Sequence, residues 1–129
     1  TSAQYADLAE IYLADADYDA GTVVVFGGKQ EITVTNQSHD TRVAGVISTN
    51  PAYVMNDTSE TKDYLPVALR GKVPVKVIGK IMKGDVLITS IVEGYAVASA
   101  GDTSSAAIVA KAIENKVDDG RGIVMAVVV

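Results

Sequence analysis

Residues 42–56 read RVAGVISTNPAYVMN. From Val43 to Ser48 the stretch is apolar enough to be a strand covered on both faces, since strands with one wet face alternate in polarity. Asn50-Pro51 ends it, because proline offers no ladder donor and pushes its predecessor away from helix. Apolar character resumes at once in Ala52-Tyr53-Val54-Met55, so a second apolar face must lie beyond a sharp turn. Gly45, inside the strand, marks a place where a neighbouring backbone or bulky side chain comes close.

The flanking segments extend this β reading. Towards the amino terminus, Thr22 to Phe26 is a strand, Gly27-Gly28 signals a hairpin, and Glu31 to Thr35 returns with Ile32 and Val34 inward. Further back, YADLAEIYL over 5–13 fits either a helix or a strand. Towards the carboxyl terminus, 56–63 (NDTSETKD) is a solvent-facing loop. Two strands are expected after it, Val67 to Arg70 and Val73 to Ile81, with Pro74 marking an edge or a strand start. Lys83-Gly84-Asp85 turns the chain into Val86 to Ser90. Tyr95 to Ala98 is a strand, Ser99 to Ser105 a loop, and Ile108 to Ile113 a strand or short helix. Asp118 to Gly122 is a turn, and Ile123 to Val129 a closing strand.

The pattern repeats. GTVVVF from Gly21 resembles GDVLIT from Gly84, EITVT from Glu31 resembles GYAVA from Gly94, and VAGVI from Val43 matches VAKAI from Val109. Segments 21–48 and 84–114 therefore read as two copies of one β unit. Two copies fall short of the three or so that a solenoid needs, so they are expected to pack together. The fold class that follows is all-β, a compact sandwich or barrel built from two similar units, with at most one or two short helices and residues 1–129 forming a single domain.

Composition narrows the function. Of the 129 residues 48% are hydrophobic, yet there are only six tyrosines, one phenylalanine and no tryptophan, so the core is aliphatic and favours sheet. The absence of cysteine removes disulfides and thiolate metal sites. A net charge of -5, with basic residues scattered, argues against nucleic acid as a partner. No apolar run approaches the roughly 20 residues of a membrane helix.

Candidate sites each have a plain reading. Asp7 and Glu10, three apart, would share a helix face as a carboxylate pair, or simply form a solvated charged face. Asp15, Asp17 and Asp19 alternate like calcium ligands, but Phe26 stands where loop position 12 needs a bidentate glutamate, so a polar turn is expected. Ser38, His39 and Asp40 are consecutive, whereas a nucleophilic triad is assembled from separate elements, and a lone histidine without cysteine makes a poor zinc site. Gly27-Gly28-Lys29 lacks the spacing of a phosphate loop and is hairpin chemistry. No metal and no cofactor is expected. Tyr53, Val54, Met55, Tyr64 and Leu65 could form an interface patch, and the terminal Val127, Val128 and Val129 call for cover against aggregation.

Taken together, YADLAEIY, AGTVVVFGG, VAGVISTNP, GKVPVKVIGKIMKGDVLITS, GYAVAS, IVAKAIEN and DGRGIVMAVVV resemble a module at the carboxyl ends of bacteriophage tail-fibre and neck-appendage proteins. The chain is similar to the group described as autoproteolytic intramolecular-chaperone domains. The resemblance implies a virion protein, usually a homotrimer, with β-rich modules at the tip or end of a fibre. Other virion proteins or a host surface receptor are the expected partners, and charge and hydropathy point to no nucleic-acid or membrane partner. The resemblance also implies Asp7 and Glu10, by motif position, as participants in self-cleavage; the chain's ending within a strand, with no helical chaperone segment, speaks against that activity. The expectation is a non-enzymatic structural module of a fibre or appendage. The alternatives are a capsid decoration protein, a self-cleaving assembly peptidase and, against the scarcity of aromatics, a glycan-binding module.

Overall fold

The computed structural model describes residues 7–48, 63–129 and, as backbone, 51–55. Ten strands follow in chain order: β1 (Asp7–Leu13), β2 (Val23–Phe26), β3 (Ile32–Val34), β4 (Val43–Ile47), β5 (Pro51–Met55), β6 (Tyr64–Ile78), β7 (Val86–Thr89), β8 (Ala96–Ala98), β9 (Ile108–Ala112) and β10 (Arg121–Val128). The one helical feature among the described residues is a 3-10 turn, Ser105–Ala107, with the Ser104 hydroxyl accepting from the Ala106 N–H at its start. The chain is thus all-β, as its valine-rich composition requires. The segment at 7–13 resolves to strand: Asp7, Ala9 and Ile11 point inward and Leu8, Glu10 and Tyr12 are half-buried, a period of two.

The strand β6 organises everything else. Its carboxyl half pairs with β10 on one edge and, through Val77↔Ala96, with β8 on the other. The order β6-β8-β7-β9-β10 then closes on itself as a five-stranded barrel. Its amino half pairs with β1 and β4, and β4 continues to β2 and β3. A parallel bridge from Ala14 to Ile32, with the Glu31 N–H donating to the Leu13 carbonyl at 3.0 Å, brings β3 back beside the end of β1. A second ring, β6-β4-β2-β3-β1, is completed in this way. The ladders of β1 and β10 overlap at Gly71, which has Asp7 across one edge of β6 and Val128 across the other.

Two apolar clusters fill these rings, and single strands serve both. Val23, Val46 and Ala68 join the larger cluster with the barrel valines, while their chain neighbours Val24, Ile47 and Val67 face the smaller one with Ile32, Tyr12, Tyr18 and Leu65. Burial on two sides is why Val23-Val24-Val25 and Val46-Ile47 are unbroken apolar runs. Gly45 is the close approach its place in the strand implied: a Cβ there would lie 2.6 Å from the Ala68 carbonyl oxygen.

The two similar sequence units also share their pairing. In each, the first strand is central: β2 pairs antiparallel with β3 and β4, and β7 with β8 and β9. Each also carries a register shift in the second of those ladders, between Val24 and Val25 and between Leu87 and Ile88.

One expectation is corrected. Val67 to Arg70 and Val73 to Ile81 are not two strands: one strand, β6, runs through both and ends at Ile78, and Pro74 lies within it, opposite Met125. The reason lies in the alternation of strand donors. The Lys76 N–H faces away from β10 and donates to the Gly21 carbonyl at 3.0 Å, and position 74 faces the same way. No described strand pairs with β6 on that edge between Gly71 and Val77, so proline's missing donor leaves nothing unpaired.

Candidate functional site

The acidic pair suggested by spacing does not form. On a strand, positions three apart face opposite sides, and Asp7 points inward with 3% of its surface exposed while Glu10 is half-buried on the other face. The Asp7 carboxylate accepts a hydrogen bond from the Ser48 hydroxyl at 2.9 Å through Oδ1, and Oδ2 is buried with no partner among the described residues. Burial raises its pKa above the ordinary 3.8, against the smaller opposing effect of the Ser48 bond. The sign of the pH effect follows. A group bound more tightly to its proton in the folded state adds stability fully present below its unfolded pKa, and that contribution disappears as pH rises through the folded value. Asp7→Asn, an isostere of the neutral acid, is therefore expected to gain on the wild type in urea melts as pH rises from 4 towards neutrality. Parallel curves at all pH values would show that Asp7 does not titrate as its burial demands.

The other acidic and histidine candidates are engaged separately. Asp15 accepts from the Tyr18 hydroxyl, and Asp19 accepts from the Thr22 hydroxyl at 3.0 Å and pairs with Lys76 at 2.5 Å. The Lys76 contact, foremost, holds the Asp19 carboxyl below its usual range. Among the described residues no group of three or more His, Asp or Glu converges as a metal site would require. His39, at φ 54°, is exposed, and its hydrogen-bond contact among the described residues is with its neighbour, Ser38 Oγ 2.8 Å from Nδ1. Asp40 turns away from it: its carboxylate binds Arg42 at 2.8 and 3.0 Å, and its N–H donates to the buried Thr89 hydroxyl at 2.8 Å. Asp40 thus ties the two β units together, with its pKa lowered chiefly by the Arg42 hydrogen bond. Gly27 and Gly28 sit in the 27–31 hairpin connection.

The surface candidates separate similarly. Tyr64 and Leu65 are half-buried, and Leu65 packs on the smaller cluster. Val128 belongs to the barrel core at 6% exposed and so is unavailable as a surface contact, whereas Val129 is exposed and Val127 half-buried. The side chains of Tyr53, Val54 and Met55 lie outside the described residues; as backbone, β5 pairs in parallel with β1 and with no other described strand.

Two features escaped the sequence reading. The outward row that it saw at Val127 and Val129 extends back along the outer face of β10 through Met125 to Ile123 as an apolar stripe. Beside it the Lys76 ammonium lies 5.7 Å and the Arg121 guanidinium 5.0 Å from the centre of the Tyr95 ring. In addition, the Lys116 side chain is largely buried, and its ammonium donates to the carbonyls of Gly79, Asp118 and Gly120.

A small closed barrel with a second strand ring attached to the same long strand is therefore the class of structure to which this chain belongs. No protein-family model and no curated protein sequence matches it. Solved structures of bacteriophage phi29 gene product 12 do share the fold. Its C-terminal fragment superposes with a TM-score of 0.67 over 95% of this chain and 100% of that one, at 14% identity. The pre-mature gene product 12 superposes with a TM-score of 0.70 over 98% of this chain, again at 14% identity, and this chain spans 22% of its length. At such identity the likeness is one of fold.

Proposed function

We propose that this chain is a structural module of a bacteriophage virion, acting as a homotrimer within a fibre or appendage, in assembly and surface display. The observation that supports this reading is that nearly the whole chain, both rings included, shares its fold with gene product 12 of a bacteriophage. The motif resemblance to phage fibre and appendage modules points the same way from independent information. The finer likeness to autoproteolytic intramolecular-chaperone domains rests on those motifs alone. The proposal assigns no catalytic role: Asp7 is closed off from solvent, and Glu10 faces the opposite side of its strand. It assigns no cofactor, and its partners are copies of itself, other virion proteins and a host receptor.

Antibody labelling of purified phage particles in the electron microscope tests the assignment. Label on the tail, fibre or appendage is the expected result. Label on the head facets would replace it with capsid decoration, and particles that carry no label while the protein is found free in the lysate would overturn the virion reading.

A further inference from the structure

Two exposed surfaces of this chain are complementary to each other. The first is the outer face of β10, where Ile123 is 59% and Val129 75% exposed, with Met125 and Val127 half-buried between them. Cations border this apolar stripe on both sides. Val127 is opposite Lys72 of β6 and Lys111 of β9, and Arg70 occupies the next outward position on β6. None of these three makes an ion pair among the described residues, unlike Lys76, which holds Asp19.

The second surface is on the smaller ring. Phe26, 43% exposed, meets Tyr12 edge to face with ring centres 5.4 Å apart. Around this pair acids outnumber the two cations, Lys29 in the 27–31 connection and Arg42, which lies beside Gly27 and is already paired with Asp40. Glu31 precedes β3 and bonds the Leu13 N–H, Asp15 and Asp17 follow β1, and Asp63 bonds Ala14 through its carbonyl. All four acids are exposed. An apolar centre with a basic border and an apolar centre with an acidic border, on one chain of net charge -5, match in both hydrophobicity and sign.

We infer that the β10 stripe of one copy docks on the Phe26 surface of the next, a head-to-tail contact between copies of this chain. This rests on the oligomeric part of the proposed function and deepens it by naming the faces. A contact between two different patches is heterologous, and it closes into a ring when its rotation permits, as any threefold assembly must. Burial of the two apolar centres supplies the attraction, and the charged borders set the register and exclude the like-with-like pairing of two basic or two acidic faces.

Complementary variants test it. Lys72→Glu with Lys111→Glu reverses the basic border and leaves the acidic surface intact; Asp17→Lys with Asp63→Lys does the converse. All four side chains are exposed and make no side-chain hydrogen bond among the described residues, so both variants should retain the wild-type circular dichroism and melting temperature. In sedimentation velocity the wild type is expected to oligomerise, each variant alone to run as a monomer, and an equimolar mixture to associate again through the surviving pair of faces. Variants that still oligomerise like the wild type would overturn the face assignment while leaving the oligomer standing. A wild type that remains monomeric at every concentration would overturn the oligomer itself. Monomeric variants whose mixture does not reassociate would overturn the head-to-tail pairing.

Discussion

Gly45→Ala should lower the stability of this protein by about 3 kcal/mol, combining backbone strain with overpacking of a closed interface. The glycine has φ 149°, which side-chain-bearing residues rarely adopt, and a Cβ would lie 2.6 Å from the Ala68 oxygen and 2.8 Å from Val67 Cγ1. Neither neighbour can retreat. Val67 and Ala68 are fully buried, they pair with Ile47 and Val46, and they are opposite Glu10 and Ala9 on the other edge of β6. Moving β4 away would open the smaller cluster at Ile47 and the larger one at Val46 together. A drop of roughly 10 °C in melting temperature is the expected reading for a chain of this size. Gly79→Ala provides the control. Its φ is also positive, at 88°, but a Cβ there meets nothing within 4 Å, so only the strain remains and the loss should be clearly smaller. Equal losses would show that the β4–β6 approach is not the constraint described.

That glycine was legible in the sequence because its surroundings are unambiguous: an apolar run without alternation means burial on both faces, and a glycine inside it means a neighbour too close for a side chain. Other features were hidden for equally physical reasons. Gly71 and Pro74 punctuate β6 as if it were two strands. Yet Gly71, with φ 112°, is paired on both edges at once, with Asp7 of β1 and Val128 of β10, and Pro74 lacks its donor on the side where no strand asks for one. The segment IVMAVVV is apolar at inward and outward positions alike, so it offers no period to separate the core residues Val124, Ala126 and Val128 from the exposed row beside them. Asp7 was obscured by the ambiguity of YADLAEIYL, since only a strand turns it inward and away from Glu10. What the sequence could not convey at all was which distant polar groups meet, as with Asp19 and Lys76 or the Asp40 N–H and Thr89, because such pairs depend on how the two rings are set on β6.

The same dependence on long-range closure governs the second large effect, Lys116→Met, which should cost about 2–3 kcal/mol. The lysine side chain is 8% exposed, and a backbone bridge holds residue 116 in place, with reciprocal bonds of 2.9 and 2.8 Å to Ile81. Its ammonium then caps three carbonyls: Gly79 at 2.9 Å after β6, Asp118 at 3.0 Å, and Gly120 before β10. One cation therefore ties the exit of β6 to the entry of β10, the seam that closes the barrel. Gly122 leaves room for the stem, since a Cβ there would be 2.6 Å from Lys116 Cε. Methionine retains most of the stem's volume and removes the charge, so the loss measures the unpaired carbonyls more than a cavity. Each charge-assisted bond is worth up to about 3 kcal/mol, but these carbonyls lie near the surface and water recovers part of the loss, which sets the total below their sum. The ion pair to Asp118 at 3.3 Å is the minor partner, because that carboxylate is 65% exposed and screened by solvent. Asp118→Ala should accordingly unfold at nearly the wild-type urea concentration while Lys116→Met unfolds well below it. If the two variants fall together, the salt bridge and not the carbonyl cage closes the barrel.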